Sequence, residues 1–363
     1  MFFFFFLFFF SPFKHFHSYI LPWGQCSKVA RLHTKIVLAA LKRCWCPQFD
    51  MFENQSMKVL RNIKDLREWR YNLFMRYKSV GFVPTMGALH AGHLSLISES
   101  LKENDTTIVS IFVNPAQFGP LEDLDQYPRT LDEDLEKLRQ LKEGKVNAVF
   151  IPKLSEMYPS GVPLDVSKQR GAFVTVQGCS EQLEGSQRPQ FFRGVATIVT
   201  KLLNLIRPTR AYFGQKDAQQ CIVVKNLVKD LLIDTTIRVL PTVREPNGLA
   251  LSSRNAYLSD DIKNRSDVVY HSLNSGKEYY EKCLASKKET VDSQHIRDVI
   301  LGILNAASLP FSLEYLAVSD PETLDDLEAV TPSRGALVSI ALRIKNKSGG
   351  ETRLIDNVIL DKC

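Results

Sequence analysis

Cysteine is scarce in this chain. There are seven among 363 residues (positions 26, 44, 46, 179, 221, 283 and 363), an odd number and scattered, and Cys44 and Cys46 lack the second pair that a zinc site needs. A disulfide framework and a zinc module are therefore not expected, and the thiols read as reduced. Histidine is also sparse. Three of the seven, His15, His17 and His33, lie near the N-terminus, which leaves His90, His93, His271 and His295 for the rest and argues against metal-rich chemistry. No apolar run reaches the roughly 20 residues that a helix needs to cross a bilayer, and even the opening MFFFFFLFFFSPF ends too soon. A large excess of one charge is missing as well. The net charge is +6, yet Lys14, Lys28, Arg31, Lys35, Lys42 and Arg43 face only Asp50 and Glu53 within the first 57 residues. The remainder is nearly balanced and offers no basic face of the kind that displaces counterions from nucleic acid. Neither nucleic acid nor membrane is expected as a partner, and no internal repeat is apparent.

What remains is the composition of a globular protein, with 44% hydrophobic and 24% charged residues and a length suited to two packed domains. Residues 1–56 stand apart as an extension outside the fold. Three readings stay open for it: a signal-like segment without a basic start, a basic organelle presequence, or an upstream stretch absent from the working protein. A cytoplasmic location is expected, or a mitochondrial one if the presequence is real. Folding is expected to start near Met57, where MKVL reads as a strand and NIKDLREWRYNL as an amphipathic helix. From Ser79 short β-rich runs alternate with helical patterns (SVGFVPT, TTIVSIFVNP, VNAVFIP, RAYFGQKD, TIRVLPTVRE), the mark of a parallel α/β sheet. The Pro- and Gly-rich stretch LSEMYPSGVPLDVSKQRGAFVTVQG reads as an excursion with its own strand pair. After Glu245 a long helical region, from Asp260 to about Ser308, precedes three strand-like runs. The expectation is a Rossmann-like parallel-sheet domain over residues 57–242 and a smaller α+β domain over 243–363.

Four stretches carry chemistry. In VPTMGALHAGHLSLI a strand runs through a Gly-containing turn into a helix whose start holds His90 and His93. Unpaired backbone N–H groups, the positive end of the helix dipole and the small Gly87 and Gly92 suit a phosphate there, and two histidines three apart share a face. The same histidines could instead simply cap the helix. FGQKDAQQ places Lys216 and Asp217 after Gly214 at a strand-to-helix turn, where open α/β sheets bind ligands, although a solvated Lys-Asp turn looks the same. LALSSRN puts Ser252, Ser253 and Arg254 on a loop at the expected domain junction, able to grip a polyphosphate or to form a polar hinge. Asn114 and Gln117, in FVNPAQF, follow an apolar strand and offer amides suited to a hydroxyl-bearing carboxylate; a turn-forming Asn-Pro is the plainer reading.

Taken together and in this order, the four stretches resemble the pantothenate synthetase (pantoate–β-alanine ligase) family, from about residue 57 to the C-terminus. PTMGALHAGH is similar to that family's form of the HxGH signature of nucleotidyltransferases, and LSSRN to their second phosphate-binding loop; YPRT and FRGVATIVTKL add family-specific text. The resemblance implies ATP-dependent joining of pantoate to β-alanine through an acyl-adenylate, the last step of pantothenate synthesis, usually in a homodimer whose smaller domain closes over the larger. It implies an ATP site formed by Met86, Gly87, Ala88, Leu89, His90, Ala91, Gly92, His93, Gly214, Gln215, Lys216, Asp217, Val243, Leu251, Ser252, Ser253 and Arg254. The reacting phosphates would fall to His93, His90, Lys216, Ser252, Ser253 and Arg254, with His93 as acid or hydrogen-bond donor. Gln117, Gln220 and Asn114 would hold pantoate. Mg²⁺ is expected on the phosphates with no protein ligand assigned, Glu133 and Asp134 being candidate outer partners. One departure is Phe191, which stands where many bacterial relatives carry His. The competing readings are another nucleotidyltransferase of the same signature and a non-catalytic nucleotide-binding protein on the same fold.

Overall fold

A computed structural model describes residues 56–362 apart from Leu121; the expected extension, but for Ser56, lies outside the described residues. The first layer is built in the order β1 (Lys58–Leu60), α1 (Ile63–Phe74), β2 (Val80–Thr85), α2 (Ala91–Glu103), β3 (Thr106–Ile111), α3 (Leu131–Arg139) and β4 (Ala148–Phe150). Two single-turn helices, α4 (Leu154–Met157) and α5 (Glu184–Gln187), lead into α6 (Phe191–Ile206), β5 (Arg210–Gly214), α7 (Ala218–Asp230) and β6 (Thr236–Leu240). The six strands form one parallel sheet in the order β1-β4-β3-β2-β5-β6. Every residue of β3 is buried and all but one of β2, as expected of central strands covered by helices on both faces. The direction of winding reverses between β2 and β5, so their C-terminal ends open a crevice, the usual ligand site of such sheets.

Local chemistry fixes the helices that frame this crevice. Gly81 lets α2 lie close on β2, since a Cβ there would come within 2.0 Å of Ser100 Oγ. Helix α6 is buried on most of its circumference, from Phe192 to Ile206, and ends at Arg207 in the left-handed region (φ 48°).

The C-terminal part holds α8 (Asp260–Arg265), α9 (Asp267–Ala285), β7 (Val291–Asp292), α10 (Ser293–Ala306), β8 (Phe311–Ser319), β9 (Ala329–Val330), β10 (Ala336–Lys345) and β11 (Glu351–Leu360). Strands β11, β10 and β8 pair antiparallel in that order, and their inner face packs with α9 and α10 around Leu273, Ile296, Ile300, Val338 and Ile340. The boundary expected at residues 242/243 falls just after β6, beside a bridge between Arg244 and Ala250.

One expectation is corrected. No strand pair forms between Leu154 and Gly178; Gly161, Gly171 and Gly178 adopt positive φ, and the Val174 N–H donates to Thr197 Oγ1 of α6 at 2.9 Å instead of to a neighbouring strand. The expected helical region is present as three helices, broken at Ser266 and again after Ala285, where Lys287 turns left-handed at φ 59°.

Candidate active site

The crevice is a cleft of about 1250 Å³ that reaches from the ends of β2 and β5 to the C-terminal sheet. Its floor begins where β2 stops. Gly87 (φ 86°) and Ala88 (φ 50°) both take left-handed backbone, turning the chain into α2. Asp134, on α3 and fully buried, holds this turn: its carboxylate accepts the N–H groups of Ala88 at 2.9 Å and Leu89 at 2.7 Å. Lys137 Nζ, one turn on, donates to the Leu89 carbonyl at 2.8 Å. Asp134 therefore serves the turn rather than a magnesium ion, and Glu133 is exposed on α3; neither lines the cleft.

The histidines cap the helix and also border the cleft. His90 is the N-cap of α2 and accepts the Gly92 N–H on Nδ1 at 3.2 Å, while His93 Nδ1 accepts the His90 N–H at 3.4 Å, a reciprocal capping box. Their rings lie 4.1 Å apart between centroids. Burial, reinforced by Lys216, pushes His90 down to about 4; burial, then His90, Lys216 and Lys137 push His93 down to about 3. Both rings are thus neutral near pH 7. With each Nδ1 occupied as an acceptor, the proton of each neutral ring sits on Nε2, and both residues line the cleft.

Lys216 enters from the short turn after β5, its Nζ 3.6 Å from Asp217 Oδ1. The turn is fastened from the far side by Asn357 of β11, whose Nδ2 donates to the carbonyls of Gln215 and Lys216, both at 2.9 Å. Gln215 answers through its own Nε2 to Asn357 Oδ1 at 2.9 Å, so its side chain faces this contact and not the cleft. The LSSRN loop closes the third side. Ser253 Oγ donates to the Ala88 carbonyl at 3.2 Å, tying the loop to the turn before α2, and Ser252 Oγ accepts the Arg254 N–H at 3.3 Å. Arg254 is clamped by Asp123 through Nε at 3.0 Å and Nη2 at 2.9 Å. Burial works against the Arg254 charge, but the Asp123 carboxylate outweighs it and raises the guanidinium above its ordinary range.

At the other end of the cleft lie Asn114 and Gln117, with Gln220, from the start of α7, also in the wall. Asn114 is buried and turned inward: Nδ2 donates to Gln117 Oε1 at 3.0 Å and to the Gly194 carbonyl at 3.2 Å, and Oδ1 accepts Tyr158 OH at 2.7 Å. Gly194 is required here, because a Cβ would sit 2.2 Å from the Ala116 carbonyl oxygen. Phe191, at the position of the family's His, packs under the Arg188 guanidinium at 3.9 Å, and Arg188 Nε in turn binds Glu122 Oε1 at 3.0 Å.

The structure therefore gathers Met86, His90, Gly92, His93, Gln117, Asn114, Gly214, Lys216, Asp217, Gln220, Val243, Leu251, Ser252, Ser253 and Arg254 around one space. Gly87, Ala88, Leu89, Ala91 and Gln215 do not line it. Sequence reasoning missed Asp123, Tyr158 and Asn357, which hold functional groups from distant segments, and named Asp134 for magnesium where it holds the turn. Asp123, between FVNPAQF and YPRT, and Tyr158, within the Pro- and Gly-rich excursion, lay beside text already singled out.

The sequence profile of the family described as Pantoate-beta-alanine ligase matches residues 58–359. A pantoate–β-alanine ligase of Saccharomyces cerevisiae is 42% identical over 316 residues, covering 84% of this chain and 100% of the relative. A pantothenate synthetase of Herpetosiphon aurantiacus is 41% identical over 304 residues with the same coverage, 84% and 100%. Among solved structures, pantothenate synthetase from Thermus thermophilus aligns with a TM-score of 0.71 at 37% identity, over 84% of this chain and 100% of that one. The Francisella tularensis pantoate-beta-alanine ligase, described as complexed with beta-gamma ATP and beta-alanine, aligns with a TM-score of 0.63 at 32% identity, over 84% of this chain and 98% of that one. With the profile spanning the described fold and these relatives covered almost end to end, the chain belongs to the pantoate–β-alanine ligase family.

Proposed function

We propose that this enzyme uses ATP to convert pantoate into a pantoyl-adenylate and then passes the acyl group to β-alanine, giving pantothenate, AMP and pyrophosphate. The carrying observation is convergence: the Nε2–H groups of His90 and His93, the Lys216 ammonium and the Ser252–Arg254 loop, from three separate segments, all border one cleft at the sheet's crossover point. Such a set suits a triphosphate whose charge shifts during reaction. Nucleotide and amine binding is reasoned from the Francisella ligase, described as complexed with beta-gamma ATP and beta-alanine.

In the first step a pantoate carboxylate oxygen attacks the α-phosphorus, the bond to the bridging oxygen breaks, and pyrophosphate leaves with the electron pair. Neutral Nε2–H donors can follow the developing charge without a proton being transferred, which fits the low affinity of both rings for a second proton. Lys216 supplies a mobile positive charge and Arg254 a fixed one. In the second step the neutral amine of β-alanine attacks the acyl carbon, the carbonyl re-forms as AMP departs, and the amine gives up a proton. The acyl-adenylate must be shielded from water; Tyr315, Ser339 and Arg353 of the C-terminal sheet contribute to the cleft wall. The acidic side chains along the cleft are each paired with a cation, Glu122, Asp123, Glu184, Glu351 and Asp356 with arginines and Asp217 with Lys216, so they do not fit a resident metal ion. Magnesium belongs to the substrate, as MgATP, held by phosphate oxygens and water. We further propose a homodimer working in the cytoplasm.

Exchange of labelled pyrophosphate into ATP tests this reading. Exchange should require pantoate and proceed without β-alanine, and complete turnover should yield AMP. Formation of ADP, or exchange indifferent to pantoate, would overturn it.

A further inference from the structure

We infer that Tyr158 is a positioning residue for the acid substrate, acting through Asn114 to fix which end of the Gln117 amide faces the cleft. One group in the cluster has a polarity that cannot change. The Gly194 carbonyl can only accept, so the Asn114 atom 3.2 Å from it must be the amide nitrogen. Asn114 Oδ1 then points to Tyr158, and the phenol at 2.7 Å must donate. The second Asn114 proton is directed at Gln117, so the Gln117 atom at 3.0 Å must be the carbonyl oxygen. What remains is Gln117 Nε2, which has no partner among the described residues and belongs to a side chain in the cleft wall.

The phenol is held in its donating form. Tyr158 is buried, and burial pushes its hydroxyl well above the ordinary range, so it keeps its proton. Lys201 Nζ lies over the ring at 3.9 Å while donating to the Met157 carbonyl at 2.6 Å, and a cation on the ring face draws density from the oxygen. Phe112, itself in the cleft wall, stacks on the other side with centroids 6.4 Å apart. The consequence is chemical: at this point the site presents a neutral donor, so it selects a substrate oxygen that accepts, a carboxylate or the lone pair of a hydroxyl.

The inference rests on the assignment of pantoate to this end of the cleft. Dissociation constants for pantoate and for ATP, measured separately by calorimetry on the whole protein, test it. Tyr158→Phe keeps the ring and removes only the donor; Asn114 Oδ1 is then buried without a donor and the amide is held by the Gly194 carbonyl alone, so its aim on Gln117 loosens and pantoate affinity should fall about tenfold, the scale of one lost buried hydrogen bond, while ATP affinity stays within about twofold. Gln117→Glu, which turns an oxygen toward the cleft, should weaken pantoate at least as much as Gln117→Ala. Equal losses for both ligands in Tyr158→Phe would make the tyrosine merely structural, and wild-type pantoate affinity in Gln117→Glu would overturn the polarity argument. If Tyr158→Phe does not fold, the Gln117 pair decides alone. Absence of pantoate binding to the wild type would instead overturn the functional reading.

Discussion

The two ends of the cleft solve the same problem with opposite materials. The nucleotide end is made of cations and backbone-anchored imidazoles, with Lys216 on a short turn and Arg254 held by Asp123. The acid end is made of neutral amides, Asn114 and Gln117, buried and ordered by one another. Charge at the first end can be supplied by any segment that arrives there, because Coulombic attraction tolerates small errors of placement. Hydrogen bonds at the second end tolerate little, so each group needs a second group to aim it. On the proposed function, specificity for the acid would be written in orientation, and catalysis of phosphorus chemistry in charge.

The sharpest way to break this division is to remove charge. Lys216→Ala should slow pantoate-dependent pyrophosphate exchange by about 10² or more, the scale of losing one electrostatic donor, with pantoate affinity unchanged. His93→Ala should fall in the same range, and near-normal exchange in either variant would remove that residue from the mechanism. A smaller effect is expected behind the nucleotide end. Asp134→Asn leaves either the Ala88 or the Leu89 N–H facing an amide N–H, which should cost about 1–3 kcal/mol of stability in urea unfolding. It should weaken ATP more than pantoate; parallel weakening would mean that the turn serves both ends.

The smallest effect concerns pH. Because the folded-state values of His90 and His93 lie at about 4 and about 3, below the ordinary 6.5, the unfolded chain takes up protons first as the pH falls. Stability from these groups is complete above about 6.5 and declines as acid takes the pH down through 4 and 3. The urea midpoint of the wild type should drop across that window, and His93→Gln, which can still cap through its oxygen, should flatten the drop. Between pH 7 and 8 exchange should show no inflection from either imidazole.

Much of the nucleotide end was legible in the sequence because its parts are local: a strand, a turn and a helix start occupy VPTMGALHAGH, and strand-to-helix geometry likewise places Lys216. The supports were not legible. Asp134 lies over forty residues from the turn it holds, and Asn357 more than a hundred from Gln215; their partners depend on which distant segments the fold brings together. Asn114 shows the limit within a motif. Its residue type and place after β3 suggested direct contact with substrate, but whether an amide faces outward or inward is decided by Tyr158 and Gly194, 44 and 80 positions away. The excursion before Gly178 misled for a related reason. It reads as carrying its own strand pair, yet its glycines and its bond to α6 give the backbone other places to go.

Gly194 carries a consequence for how this sequence can vary. With 2.2 Å between a notional methyl carbon and the Ala116 oxygen, even alanine would have to push the first turn of α6 away from the Pro115–Gln117 segment. Such a displacement would reach the reading head for the acid before it reached the hydrophobic core, so a variant at this position should remain folded while losing its discrimination among acids. A single hydrogen atom in place of a side chain thus sets the gauge of the acid end.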